Sequence, residues 1–231
     1  MSANHSLILF EGDILSRLPE VLECFGLHTT GQTETAKGLS EIWEYTNYPR
    51  KNKPKNVVHK AVLYNGIWTA VLDREMNMVL NQERCEYCAK KFNIKVFGYL
   101  VETVSGTCAL YMYQPEKVRG LNIQNFEVLE DFGEPLPQET GITTQELFED
   151  GMMRISRRMG FSDSLFAHPT SRVYVVGAED PELSNVLERI HSSAVKHPRS
   201  SAASANLAHK RQEIHTVPPT TRLEKPWWKL W

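Results

Sequence analysis

Residues 57–72 limit what this chain can fold into more than any other segment. Two β-rich arms, Val57-Val58-His59-Lys60-Ala61-Val62-Leu63-Tyr64 and Ile67-Trp68-Thr69-Ala70-Val71-Leu72, are separated by Asn65-Gly66. Asn-Gly accepts the positive φ of a tight turn, so the segment reads as an antiparallel hairpin. The pattern repeats at 95–103 and 107–113 around Ser105-Gly106. Gln114-Pro115-Glu116-Lys117 then turns the chain into strands at 118–123 and 126–130. Six strands thus follow one another with one helix, at 80–92, between them. That order predicts an α+β fold: a mostly antiparallel meander of about six strands with flanking helices.

The flanking elements come from periodicity. Leu7-Ile8-Leu9-Phe10 is a short apolar strand, and Ile14, Leu15, Leu18, Val21, Leu22 and Phe25 then recur at helical spacing until Gly26, with Pro19 kinking or dividing that helix. Further helices are expected at 35–45 and from Thr144 to Met159, the latter with Met152, Met153 and Ile155 in the core. The helix at 80–92 is expected at the surface. Gly133-Glu134-Pro135-Leu136-Pro137 breaks the sheet, and a last strand at 172–176 and a last helix at 181–194 complete a single domain over residues 1–195. Residues 196–224, rich in small residues and Pro, read as a flexible, disordered, basic linker. It leads to a terminal motif at 225–231.

Charge divides along the same line. The formal net charge is -2, yet from Ile190 onward there are seven Lys/Arg against two Asp/Glu, a balance of +5, which leaves -7 on residues 1–189. An acidic body is the wrong sign for coating nucleic acid, and the loop carrying Lys51, Lys53 and Lys55 reads as solvated. Met1 to His5 lack the basic region and long apolar core of a secretion signal, and four cysteines are too few for a disulfide framework. A cytoplasmic protein with reduced thiols is expected.

The terminal motif, Lys225-Pro226-Trp227-Trp228-Lys229-Leu230-Trp231, places three of five tryptophans at a chain end. Trp is favoured as an interface anchor, so Trp227, Trp228 and Trp231, flanked by Lys225 and Lys229, are expected to bind a protein partner. Docking on the body itself and contact with an anionic membrane surface are the alternatives. The second partner-binding candidate is the acidic strand Glu127-Val128-Leu129-Glu130-Asp131, whose Glu127, Glu130 and Asp131 offer a negative face. Its plain reading is a charged edge strand that discourages aggregation.

Evidence for chemistry is thinner. Cys85-Glu86-Tyr87-Cys88 has the spacing of a zinc or redox pair, but no second pair of ligands follows and Cys85 falls inside a helix, so both are read as structural, with no metal or cofactor. The chain contains none of the nucleophile-elbow, metalloprotease, phosphate-loop or dinucleotide signatures. The rival to a non-enzymatic interaction protein is a metal-dependent hydrolase assembled from dispersed residues, namely His28, Glu130, Asp131 and His168.

Over about residues 57–140 the chain also resembles small bacterial α+β proteins of uncharacterised function, some of them grouped with toxin-immunity proteins. The resemblance rests on Asn65 to Asp73, residues 101–113, Val118-Arg119 and Gly133-Glu134-Pro135-Leu136-Pro137, with Ile67 standing between Gly66 and Trp68 where the pattern has no residue. It implies a non-enzymatic binding role and transfers no catalytic residue.

Overall fold

The computed structural model describes residues 4–36, 41–42, 46, 57–102, 105–125, 127–143, 146, 149–161, 166 and 172–180. All lie in one compact unit, Met1–Pro181. The expected helix at 181–194, the linker, the terminal Trp motif, the Lys51–Lys55 loop and His168 fall outside the described residues.

Among the described residues nine strands form one sheet: β1 (Asn4–Glu11), β2 (His28–Ala36), β3 (Val57–Tyr64), β4 (Trp68–Leu72), β5 (Val96–Glu102), β6 (Thr107–Tyr113), β7 (Val118–Gln124), β8 (Glu127–Phe132) and β9 (Val173–Glu179). Their order is β2-β9-β3-β4-β1-β5-β6-β7-β8, and every neighbouring pair is antiparallel. The α+β class and the antiparallel sheet agree with the sequence; the six-strand meander does not. β5 to β8 do form a meander, but β4 and β5 are not neighbours, because β1 lies between them.

Burial explains the insertion. Leu7, Ile8, Leu9 and Phe10 are apolar on both faces of the strand and all four are buried, a requirement that only a central strand with both faces covered can meet. The connection from β4 to β5, which carries a helix, is long enough to leave that slot open. β9 fills a similar place beside β3. Its partner β2 is polar along most of its length, HTTGQTETA, and carries no apolar alternation that marks it as a strand.

The α-helices with described bounds are α1 (Leu18–Cys24), α2 (Gln82–Phe92) and α3 (Glu149–Arg158). Pro19 sits in the first turn of α1 and separates it from a 3-10 turn at Leu15–Arg17, so the expected division is observed. α2 starts where the Asn81 side chain accepts from the Arg84 N–H at 3.1 Å, and ends at Asn93 with φ 52°. It is half buried rather than superficial, with Cys85, Cys88, Ala89 and Phe92 turned inward. The helix expected from Thr144 begins at Glu149. Thr35 and Ala36, expected in a helix, belong to β2, although Glu41, Ile42 and Thr46 are helical.

The layers are α/β/α. On one face Leu7, Leu9, Leu63, Trp68, Tyr99 and Leu110 pack with Met152 and Ile155 of α3. On the other, Phe10 meets Phe25 edge to face at 6.3 Å, and a Cβ on Gly98 of β5 would lie 2.8 Å from Val79. The β3–β4 hairpin is present, but its turn is Gly66-Ile67. Asn65 N donates to Trp68 O at 3.1 Å, while Asn65 Oδ1 accepts from Ile67 N and Trp68 N at 3.0 and 2.8 Å. Asn65 therefore acts through its side chain, and Gly66, with φ 95°, supplies the positive dihedral.

Candidate functional site

The sheet order places β8 at one edge and β2 at the other. All six residues of β8 are exposed, including Val128, Leu129 and Phe132 at 46%, 55% and 39%. Monomeric proteins rarely leave an apolar, unprotected edge strand open to water. Here Glu127, Glu130 and Asp131 are interspersed with those apolar groups, so the strand is acidic and apolar at once.

Two anchors hold it in place. Arg119 on β7, itself buried, donates from Nε and its second terminal nitrogen to Glu139 at 3.0 and 2.8 Å. Its remaining terminal nitrogen donates to Asp131 Oδ1 at 2.5 Å, Phe132 O at 3.0 Å and Gly120 O at 2.9 Å. The fork geometry of guanidinium suits the bidentate Glu139 contact, and these bonds keep its pKa above the ordinary arginine value. The second anchor is Phe132, whose ring lies over Gly120, where a Cβ would come within 2.2 Å of it. Glu130 accepts from the Tyr111 hydroxyl at 3.1 Å; burial and that carboxylate push the Tyr111 phenol up to about 12. Glu127 makes no ion pair among the described residues.

The ladder between β7 and β8 shifts register between Asn122 and Ile123, where Glu130 faces Asn122 and Val128 faces Ile123, leaving Leu129 as the extra residue of a bulge. Beyond the end of β8, a cleft of about 550 Å³ opens between Met112, Lys117, Arg119, Glu134, Leu136 and Pro137. A second cavity of about 360 Å³, lined by Leu15, Leu18, Pro19, Tyr174 and Val176, is largely apolar and lies at the β2 side.

The residues of the hydrolase alternative are not brought together. His28 opens β2 and Glu130 and Asp131 lie on β8, at opposite edges of the sheet. No group of three or more His, Cys, Asp or Glu side chains suited to a metal ion occurs among the described residues. Cys85 and Cys88 lie on the inner face of α2. Cys85 Sγ donates to Met78 O at 3.4 Å, and burial raises the pKa of both thiols. Cys24, on α1, is in contact with Cys88, and its pKa is also raised by burial. These thiols are packed where two helices meet.

Sequence reasoning missed a buried ionic cluster. Lys60 of β3 is fully out of water, with Nζ donating to Asp73 Oδ1 at 2.5 Å, Glu75 Oε2 at 2.7 Å and Asn77 Oδ1 at 2.9 Å. Asp73 Oδ2 accepts from Met78 N and Val79 N at 2.8 and 2.9 Å, and Asn77 donates to Asp180 at 2.7 Å. Burial works against the ammonium charge, but Asp73 and Glu75 outweigh it and raise the pKa above the ordinary lysine value. A lysine kept charged at neutral pH, with its three donors engaged, is a clasp for the 73–80 loop rather than a nucleophile. One signal was available: pairing Ala61 with Leu72 sets Lys60 beside Asp73.

No family model matches the chain, and neither does any curated protein or solved structure. No helix among the described residues is long and apolar enough to cross a membrane.

Proposed function

We propose that the protein is a non-enzymatic interaction module whose β8 edge docks a protein partner with a basic surface. The observation that carries the reading is the composition of that edge: six exposed residues in which three carboxylates are interspersed with Val128, Leu129 and Phe132. Hydrophobic contact supplies affinity, while the carboxylates steer a basic partner and reject acidic ones. The bidentate Arg119–Glu139 pair and the Phe132–Gly120 contact support the reading, because they fix the strand before any partner arrives and so reduce the ordering cost of binding. The cleft beside Lys117 and Leu136 adjoins the edge and suits an apolar side chain of the partner.

Residues 225–231 supply a second contact in this proposal, with Trp227, Trp228 and Trp231 as aromatic anchors and Lys225 and Lys229 beside them. An immunity-type role, in which an acidic face covers the basic cleft of another protein, accords with this chemistry and with the sequence resemblance over residues 57–140.

The test is affinity capture from native lysate with three baits: the full chain, the full chain carrying Glu127→Lys and Glu130→Lys, and a chain ending at Glu224. A partner retained by the full chain and lost from the charge-reversed bait is the expected result. Equal capture by all three contradicts both contacts.

A further inference from the structure

No described strand pairs with the outer edge of β8, and we infer that this edge takes up a basic, extended segment of the partner as an added antiparallel strand. The inference rests on the reading that the partner docks at β8, and specifies how. An edge strand presents a row of backbone N–H and C=O groups that only another strand, or water, can satisfy. Strand addition uses those groups for affinity and the flanking side chains for specificity. β8 is suited to it because all six of its residues are exposed, so side chains of an incoming strand meet no covering helix among the described residues.

Charge selects the occupant. A second copy of the chain is a poor one, because β8 laid against itself brings six carboxylates onto one ladder, and like charges opposed across strands destabilise it. A segment carrying Lys or Arg reverses the sign. Asp131 and Glu130 occupy successive positions after the bulge and point to opposite faces, as their contacts with Arg119 and Tyr111 show. The incoming segment therefore needs basic residues on both of its faces, between Val, Ile or Thr residues that meet Val128 and Leu129. At about 3.3 Å per residue the six residues of β8 span roughly 20 Å, so six to eight partner residues cover the edge.

The experiment uses three fluorescein-labelled octapeptides and the full chain, read by fluorescence anisotropy: Lys-Val-Lys-Thr-Val-Lys-Thr-Lys, the same peptide with Glu for every Lys, and the basic peptide with both Val replaced by Pro. Proline removes backbone donors and keeps the charge. The basic peptide is expected to bind, the acidic one not to, and the Pro-bearing one to bind at least tenfold more weakly. Glu127→Lys with Glu130→Lys should abolish binding of the basic peptide, and Glu127→Lys alone, at a side chain with no ion pair among the described residues, should weaken it threefold or more. If the Pro-bearing peptide binds as tightly as its parent, strand addition is wrong while docking at β8 stands. If the basic peptide binds the wild-type and charge-reversed chains alike, docking at β8 falls too. Absence of binding by the basic peptide overturns the inference.

Discussion

Lys60 sits fully buried in the middle of a strand, a position that a lysine occupies only with its charge matched. Asp73, Glu75 and Asn77 supply that match, each within 3 Å of Nζ. Removing the cation while leaving Asp73 and Glu75 buried strands two carboxylates, so Lys60→Met should destabilise the chain by roughly 3–5 kcal/mol. Urea denaturation checks this: the midpoint should fall with an unchanged slope, and a loss under about 1 kcal/mol would show that the clasp carries little. The pairing was legible only in part. The alternation of residues 57–64 marks a strand, but which of its residues meets Asp73 depends on register, and register follows from the turn. With Gly66-Ile67 as the turn, Ala61 pairs with Leu72 and Lys60 falls beside Asp73. An Asn65-Gly66 turn moves every partner by two residues, which keeps each side chain on its face but sets Lys60 against Val71 instead.

Local chemistry announces elements where it is strong. The hairpin, the meander from β5 to β8 and the presence of α2 follow from turn residues and periodicity in the sequence. β2 does not, since HTTGQTETA has neither β-branched apolar alternation nor an apolar run; it is a strand because β9 offers a ladder to pair with. The position of β1 was likewise hidden, as its pairing with β4, which joins Glu11 to Trp68 and Leu7 to Leu72, is too distant in sequence to leave a local mark. At β8, Gly120→Val drives a side chain into the Phe132 ring, which lies 2.2 Å from the built Cβ. Amide exchange at Glu130 to Phe132 should then quicken by tenfold or more while α1 and α2 are unchanged; equal rates throughout would mean that Phe132 does not pin the strand. For α2, replacing Cys85 and Cys88 together by Ser should leave metal content unaltered, and zinc near one equivalent in the unmodified chain would contradict the structural reading of the pair.

For the whole molecule, acid and base groups in the core set the pH range of stability. Burial raises Cys108 from 9.0 to about 12, and burial with Glu130 raises Tyr111 from 10.0 to about 12. The folded chain keeps these protons at pH values where the unfolded chain has released them. Between the ordinary values and about 12 it therefore binds more protons than the unfolded chain, and stability falls as pH rises through that window. Lys60 acts in the same sense, its raised pKa preserving the clasp at neutral pH and losing it in strong alkali. Thermal melts should coincide at pH 7 and 8 and drop clearly at pH 10.5; a flat profile to pH 11 would contradict the assignment. The candidate site was legible in the carboxylates Glu127, Glu130 and Asp131 and in the reading of their strand as a charged edge, which the sheet order bears out; the distance to His28 was not, because only the sheet order puts His28 at the opposite edge. Hydrogen exchange of the β8 amides, in the free chain and in complex with the partner captured from lysate, tests the central claim most directly. Strong protection of residues 127–132 on binding is the predicted result, whereas unchanged exchange there with protection on β2 or the helices would contradict it.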